Sequence, residues 1–292
     1  MTPPSSYLGA PGGGIPSSTG TYPVGADAPA VVTGGHLGSV GGRFIGRGRL
    51  TIGAAYWLAW LAFSRRSSVS SGVQREMQSL GIGALRLVLS ASVLVGLIAT
   101  FQLAYQLKQY GAEPMSAKAI GWFGARELGP LVAALLVVAR SASAIAGEFA
   151  SMSANAELDA LRAMGLDPVK YLVAPKLGAL LVCLPALTIL ADALIAAGGW
   201  AGTTIFLGFS SGVFVEQFQS ALAVRDIVIG LGKSVVFAVT IAIVAADEGL
   251  NVERNVAAIG GAATRAVVFC MIGVLGADTL VNAIFYFIPG LV

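Results

Sequence analysis

The sequence predicts an all-α, polytopic membrane protein with about five transmembrane helices, and three observations carry that expectation. Of 292 residues, 56% are hydrophobic and only 11% charged, where a soluble domain carries about 25% charged residues. Mean hydropathy is +0.80. The apolar residues gather into long runs that contain almost no Asp, Glu, Lys or Arg, and about 20 consecutive apolar residues span a bilayer as a helix. This composition excludes an ordinary cytosolic enzyme. The net charge of +3, from 18 Lys and Arg against 15 Asp and Glu, is too small and too dispersed for a nucleic-acid partner. Cys183 and Cys270 lie inside apolar runs, where a free thiol packs as a small hydrophobe and forms neither a disulfide framework nor a metal site.

Residues 1–42 consist mainly of Gly, Pro, Ser, Thr and Ala, contain no Lys or Arg and show no periodicity; they read as a disordered tail that also holds the lone His36. Residues 43–83 read as a basic, aromatic interfacial region. Seven arginines lie between Arg43 and Arg86 around the apolar piece from Leu50 to Phe63, which carries Tyr56, Trp57 and Trp60. That piece is too short to span but suits a helix lying in the headgroup layer, or one packed on protein.

Residues 84–292 hold the spans. Leu87 to Leu107 has no ionisable residue. Leu128 to Ala150 is interrupted by Arg140 and Glu148, Leu177 to Ala201 by Asp192, Ile227 to Ala246 by Lys233, and Ala266 to Ile288 by Asp278. With the N-terminus in the cytoplasm, the connections on that side hold twelve Lys and Arg, against Lys108, Lys118, Arg126 and Arg225 on the other. Positive charge favours the cytoplasmic side, so this orientation in the cell (inner) membrane is expected.

Two short patterns are refused. Gly232-Lys233-Ser234 ends like a phosphate-binding loop, but that loop needs a glycine where this chain has Ile227, and a solvated turn where this chain has an apolar helix. Gly208-Phe209-Ser210-Ser211-Gly212 matches a hydrolase elbow, yet the only histidine is in the tail, so a turn after the third span explains it.

The connection between the second and third spans reads as a short amphipathic helix. Leu158, Leu161 and Met164 fall three apart on one face, Glu157 and Asp159 favour the N-terminal end, and Gly165 with Pro168 is a stop signal. Its polar face is mildly acidic, which favours docking into a protein groove over lying on anionic lipid.

Three stretches carry a resemblance: Arg126-Glu127-Leu128-Gly129-Pro130 with the apolar run after it, Ala139-Arg140-Ser141-Ala142-Ser143 to Glu148, and Glu157-Leu158-Asp159-Ala160-Leu161 to Asp167-Pro168. They resemble the MlaE/YrbE permease family, the membrane subunits of ABC transporters that work with MCE-domain proteins. Lys233-Ser234, Ala263-Thr264-Arg265 and the Asp278 segment extend the match. The resemblance implies a homodimer whose central cavity takes lipid. It implies three further partners: an ABC ATPase subunit, an MCE-domain subunit and a small STAS-type subunit. It implies no catalysis and no cofactor in this chain, ATP and Mg being held by the ATPase. It places Arg126, Glu127, Lys233 and Asp278 on the lipid path and assigns ATPase coupling to the helix carrying Glu157, Leu158, Leu161, Met164, Gly165 and Asp167. Asp247-Glu248 and Glu253-Arg254-Asn255 depart from the expected last cytoplasmic loop, which is more glycine-rich in the family.

Without the family, the charges inside the spans still point to transport. Each costs roughly 2.5–3.5 kcal/mol at a helix centre, so its retention implies a partner, a wet cavity or a substrate headgroup. Internal pairing, such as Lys233 with Asp192 or Asp278, is the structural alternative. For Arg140 and Glu148, set among small residues, helix packing is the favoured explanation. A proton- or ion-coupled secondary transporter is the competing class, but no internal repeat is visible. A protein lacking residues 1–42 is expected to insert, dimerise and transport like the full chain; loss of assembly in a blue-native gel would instead make the tail a docking element.

Overall fold

The computed structural model describes residues 67–113, 115–252, 255 and 257–287. The interfacial helix expected between Leu50 and Phe63, the tail, and Glu253 and Arg254 lie outside the described residues. Helix α1 comprises Ser67–Glu76, Met77–Ile82 and Gly83–Lys108; it is continuous through residue 83, where the sequence pattern divides the basic region from the permease. Helix α2 is Met115–Ala154, α3 Glu157–Ala163, α4 Val169–Phe206, α5 Ser211–Ala221, α6 Val224–Leu250 and α7 Ala258–Phe287. Five of them, α1, α2, α4, α6 and α7, are long and apolar enough to cross a membrane.

The spans are longer than the charge-free runs, because charged residues continue the helices instead of ending them. Helix α2 starts at Met115, so Lys118 and Arg126, expected in a connection, lie within it. Asp247 and Glu248, expected in a loop, belong to the last turn of α6 and are 4% and 7% exposed. The glycine- and serine-rich turn after the third span is present: Gly208 has φ +74°, and Ser210 caps α5 by accepting the Gly212 N–H. Helix α5 itself was not foreseen, being short and only weakly periodic.

Helices α2, α4 and α6 pack on one another, α1 lies against α4 and α2, and α7 lies against α6 and α2. Close packing comes from small residues. On α1 the buried residues Ala84, Val88, Ser92, Gly96, Thr100 and Ala104 recur every fourth position and form one stripe. At Gly96 a methyl group would strike the Ile195 carbonyl of α4, and at Gly198 of α4 one would strike the Val93 carbonyl of α1. Backbones in such contact pack more closely on each other than on fluid lipid chains, and that van der Waals gain helps hold the helices together.

Several spans contain π turns, which widen the helix locally, and prolines account for two of them. Pro130 follows Gly124–Leu128 and Pro175 follows Val169–Val173; each lacks the N–H that would bond the carbonyl four residues earlier, so the ladder re-registers there. The first of these turns carries Arg126 and Glu127.

Gly96→Val is expected to destabilise the bundle by ~1–3 kcal/mol through overpacking, seen as a lowered melting temperature in detergent. At Gly147 nothing lies within 4 Å of the point a methyl group would occupy, so Gly147→Ala should not lower the melting temperature and should raise it slightly, alanine being favoured over glycine inside a helix by ~0.5–1 kcal/mol.

Candidate functional site

Three spans converge on Lys233. From α6 its ammonium reaches Glu127 Oε2 of α2 at 2.6 Å and Asp278 Oδ1 of α7 at 2.9 Å. Asn282, one turn beyond Asp278, donates to Glu127 Oε2 at 3.3 Å and Asp278 Oδ2 at 3.4 Å. The approach is possible because Gly230, three residues before Lys233, lies against the Ala125 carbonyl, where any side chain would collide. The Lys233 side chain is 0% exposed, whereas Glu127 and Asp278 keep 18% and 15%. The lysine is therefore an internal clasp, and the accessible edge of the cluster belongs to the two carboxylates. Charge-assisted bonds of this length are strong where water is excluded, and the asparagine amide satisfies further lone pairs of the two acids.

Arg126 stands beside this cluster with its own partners. Its guanidinium lies 5.8 Å from the Trp122 ring centre and 5.6 Å from that of Phe285, within cation–π range. Asp226 Oδ1 is 3.7 Å from it. Asp226 occupies the first turn of α6, where the helix dipole favours a carboxylate, and its Oδ2 accepts the Ala223 N–H at 3.4 Å. Ala223 has no side-chain acceptor to return the bond, so the cap is one-sided.

The remaining intramembrane charges separate into other places. Lys233 pairs with Asp278 and Glu127 but not with Asp192, whose Oδ1 is buried without a hydrogen bond. Arg140 donates to the Ser79 carbonyl of α1 at 3.0 Å. Glu148 instead bonds Lys176 of α4 at 2.8 Å, and Lys176 also holds Glu76 of α1 at 3.0 Å while lying 5.5 Å from the Phe149 ring centre. Both residues thus brace helices, in agreement with the packing explanation. Asn282, Asp226, Glu76 and Lys176 were missed as partners; only Asn282 left a signal, its four-residue offset from Asp278 placing both on one helix face.

Helix α3 differs from the sequence expectation. It covers Glu157–Ala163, entered through Ala156 at φ 59°. Leu158 is only 4% exposed and packs within the chain; it is unavailable to a partner. Leu161 is half-buried, and Met164, 65% exposed, follows the helix as its C-cap. The stop is a Schellman turn: Gly165, at φ +75°, donates to Arg162 O, and Leu166 donates to Leu161 O. Asp167 then accepts the Val169 N–H at 2.9 Å and starts α4, so its carboxylate serves the fold. Arg162 pairs with Asp159 at 3.2 Å, and Glu157 is exposed.

Five apolar spans enclosing braced, partly accessible charge define an all-α, multi-pass membrane protein. Residues 73–284 match the family Permease MlaE, and the chain belongs to that family. The intermembrane phospholipid transport system permease protein MlaE of Haemophilus influenzae is 32% identical over 216 residues, 73% of this chain and 82% of that protein. A probable ABC transporter permease protein of Rickettsia typhi is 28% identical, with 73% and 83% covered. The chloroplastic protein TRIGALACTOSYLDIACYLGLYCEROL 1 of Arabidopsis thaliana is 27% identical, with 73% and 61% covered.

Lys233→Met leaves two carboxylates facing each other unpaired, a change of ~3–5 kcal/mol for a broken buried pair. Membrane level and melting temperature are expected to fall together, and to recover in part when Asp278→Asn is added.

Proposed function

We propose that this chain is the permease subunit of an ABC transporter that moves phospholipid between the inner membrane and an MCE-domain shuttle, driven by a separate ATPase subunit. The relative from Haemophilus influenzae, by its name an intermembrane phospholipid transport permease, supports the lipid. The observation that carries the reading in this chain is the Lys233 cluster, a sealed cation presenting the edges of Glu127, Asp278 and Asn282 beside Arg126 within apolar spans. Phospholipid needs apolar walls with a few placed polar groups, and Arg126 is suited to the phosphate. Lys233 acts here by holding the carboxylates in place.

The apolar windows of α1 and α7 are only 22% and 11% buried, which leaves surface for acyl chains and for a second copy in a homodimer. ATP and Mg belong to the ATPase, this chain holding no cofactor, and a small STAS-type subunit completes the assembly. With the N-terminus in the cytoplasm, α3 faces the ATPase through Glu157, Leu161, Met164 and Gly165. Nucleotide-driven movement there passes into α4 through the Gly165 turn and the Asp167 cap, and across to α2 and α1 through Lys176 with Glu148 and Glu76.

In liposomes holding the complete complex, ATP should drive transfer of a fluorescent phospholipid to the MCE acceptor. Met164→Asp should slow it roughly tenfold, the equivalent of ~1.4 kcal/mol of lost docking, with insertion unchanged. Unaltered transfer in that variant removes α3 from the coupling path. Transfer that follows a proton gradient and ignores ATP would instead establish a secondary transporter.

A further inference from the structure

A groove of about 440 Å³ opens where the end of α1 meets the start of α2 and the end of α5, lined by Leu107 of α1, Met115, Lys118 and Trp122 of α2 and Ala221 of α5. This end of the bundle is opposite α3, since α2 begins where α1 ends and α3 follows only after α2 has crossed back. Tyr105, Tyr110 and Trp122 are all exposed there. Tyrosine and tryptophan gather where the bilayer meets water, so the groove lies at the headgroup layer and is a separate place from the Lys233 cluster.

Its walls are alkyl and aromatic, and a single charge stands on them. Lys118 is exposed and has no ion pair or side-chain hydrogen bond among the described residues. A lysine so placed lays its alkyl stem on apolar surface and keeps its ammonium at the wet edge. Ser220 also lines the groove, but its hydroxyl donates to the Gln217 carbonyl at 2.8 Å. The side-chain donors left for a guest are those of Lys118.

Chemistry and size narrow that guest. A sugar or nucleotide needs many hydrogen-bonding groups, and this groove offers one. A hydrocarbon leaves the ammonium unused, and a free phosphate leaves the apolar walls unused. An anionic amphiphile uses both, with phosphate on the lysine and chain on Met115 and Trp122. The volume is within the ~300–1,000 Å³ of small-molecule sites, enough for a phosphate, its glycerol and the first carbons of the chains.

Position gives the groove a use. Lys118, Trp122 and Arg126 stand four residues apart on α2 and so share a face. Trp122 lines the groove, and its ring centre is 5.8 Å from the Arg126 guanidinium. Arg126 lies eight residues further into the span, ~12 Å along the helix axis. A headgroup held at Lys118 thus has a second cation ahead of it on the same face.

We propose that the Lys118 groove binds the phosphate and upper chains of a phospholipid in the leaflet opposite α3, as a staging site between that leaflet and Arg126. The staging role rests on the lipid-transport reading and adds a second site to it.

Photolabelling of the complete complex in liposomes tests this, with phosphatidylglycerol carrying a diazirine near the start of its acyl chain and with the diacylglycerol of the same chains, adducts being mapped by peptide mass spectrometry. The phospholipid should label Met115 and Trp122 about tenfold more than the diacylglycerol, the order expected for a hydrogen bond to a charged group. Lys118→Gln should remove that excess and slow ATP-driven transfer, Lys118→Arg should retain both, and labelling of the exposed face of α7 should stay constant. Ala119→Trp, which fills the groove and keeps the lysine, should abolish the adducts. No adducts in the native groove, equal labelling by the two probes, or an excess that survives Lys118→Gln overturns the proposal and leaves the transport reading standing. Displacement of the probe by inorganic phosphate assigns the groove to a free anion and overturns it as well. Unaltered transfer in Lys118→Gln overturns the staging role, whereas a native complex that is labelled in the groove but transfers no lipid with ATP overturns the transport reading and the staging role together.

Discussion

A lysine ammonium sealed from water between two carboxylates joins α2, α6 and α7, and the arrangement of the bundle depends on it. An unpaired charge at this depth would be too costly to keep. The positions of Glu127, Lys233 and Asp278 along their helices therefore set the register in which the three helices can meet, the 2.6 Å and 2.9 Å contacts being the result. Asn282 uses further lone pairs, and the leftover exposure falls on the acids and not on the lysine. The cluster braces the fold and leaves the edges of its two carboxylates accessible at the same time.

Ion pairs of this kind form only if the backbones come close, and in a bilayer the hydrophobic effect does not press helices together. Small residues bring them together by shape. Gly230 against the Ala125 carbonyl brings Lys233 within reach of α2, while Gly96 and Gly198 interlock α1 with α4. Pro130 has the complementary effect: by interrupting the ladder of α2 it produces the π turn that holds Arg126 and Glu127.

At the end of the bundle that carries α3, a second sealed lysine repeats the device. Lys176 holds Glu148 and Glu76, linking α4, α2 and α1. Helix α3 is joined rigidly to α4 by the Gly165 turn and the Asp167 cap. Force applied to α3 thus reaches a braced set of helices and not a slack loop, as the coupling proposed for α3 requires.

The number of spans, their all-helical character, the short helix α3 and the turn at Gly208 were legible in the sequence, because each rests on local composition and periodicity. The central motif was legible too, through a resemblance covering most of the chain. Four things were decided only by tertiary structure. Charged residues such as Lys118 and Asp247 extend helices, since their cost depends on where neighbouring helices stand. Leu158 turns inward against its own chain although its spacing matches that of Met164, because periodicity identifies an apolar face without naming its partner. Lys233 chooses Glu127 and Asp278 over Asp192, and Arg140 and Glu148 go to different helices, because pairing depends on distances between segments far apart in the chain. A linear pattern records which residues share a face of one helix; which faces of different helices meet is settled by close packing and by the need to satisfy every buried charge.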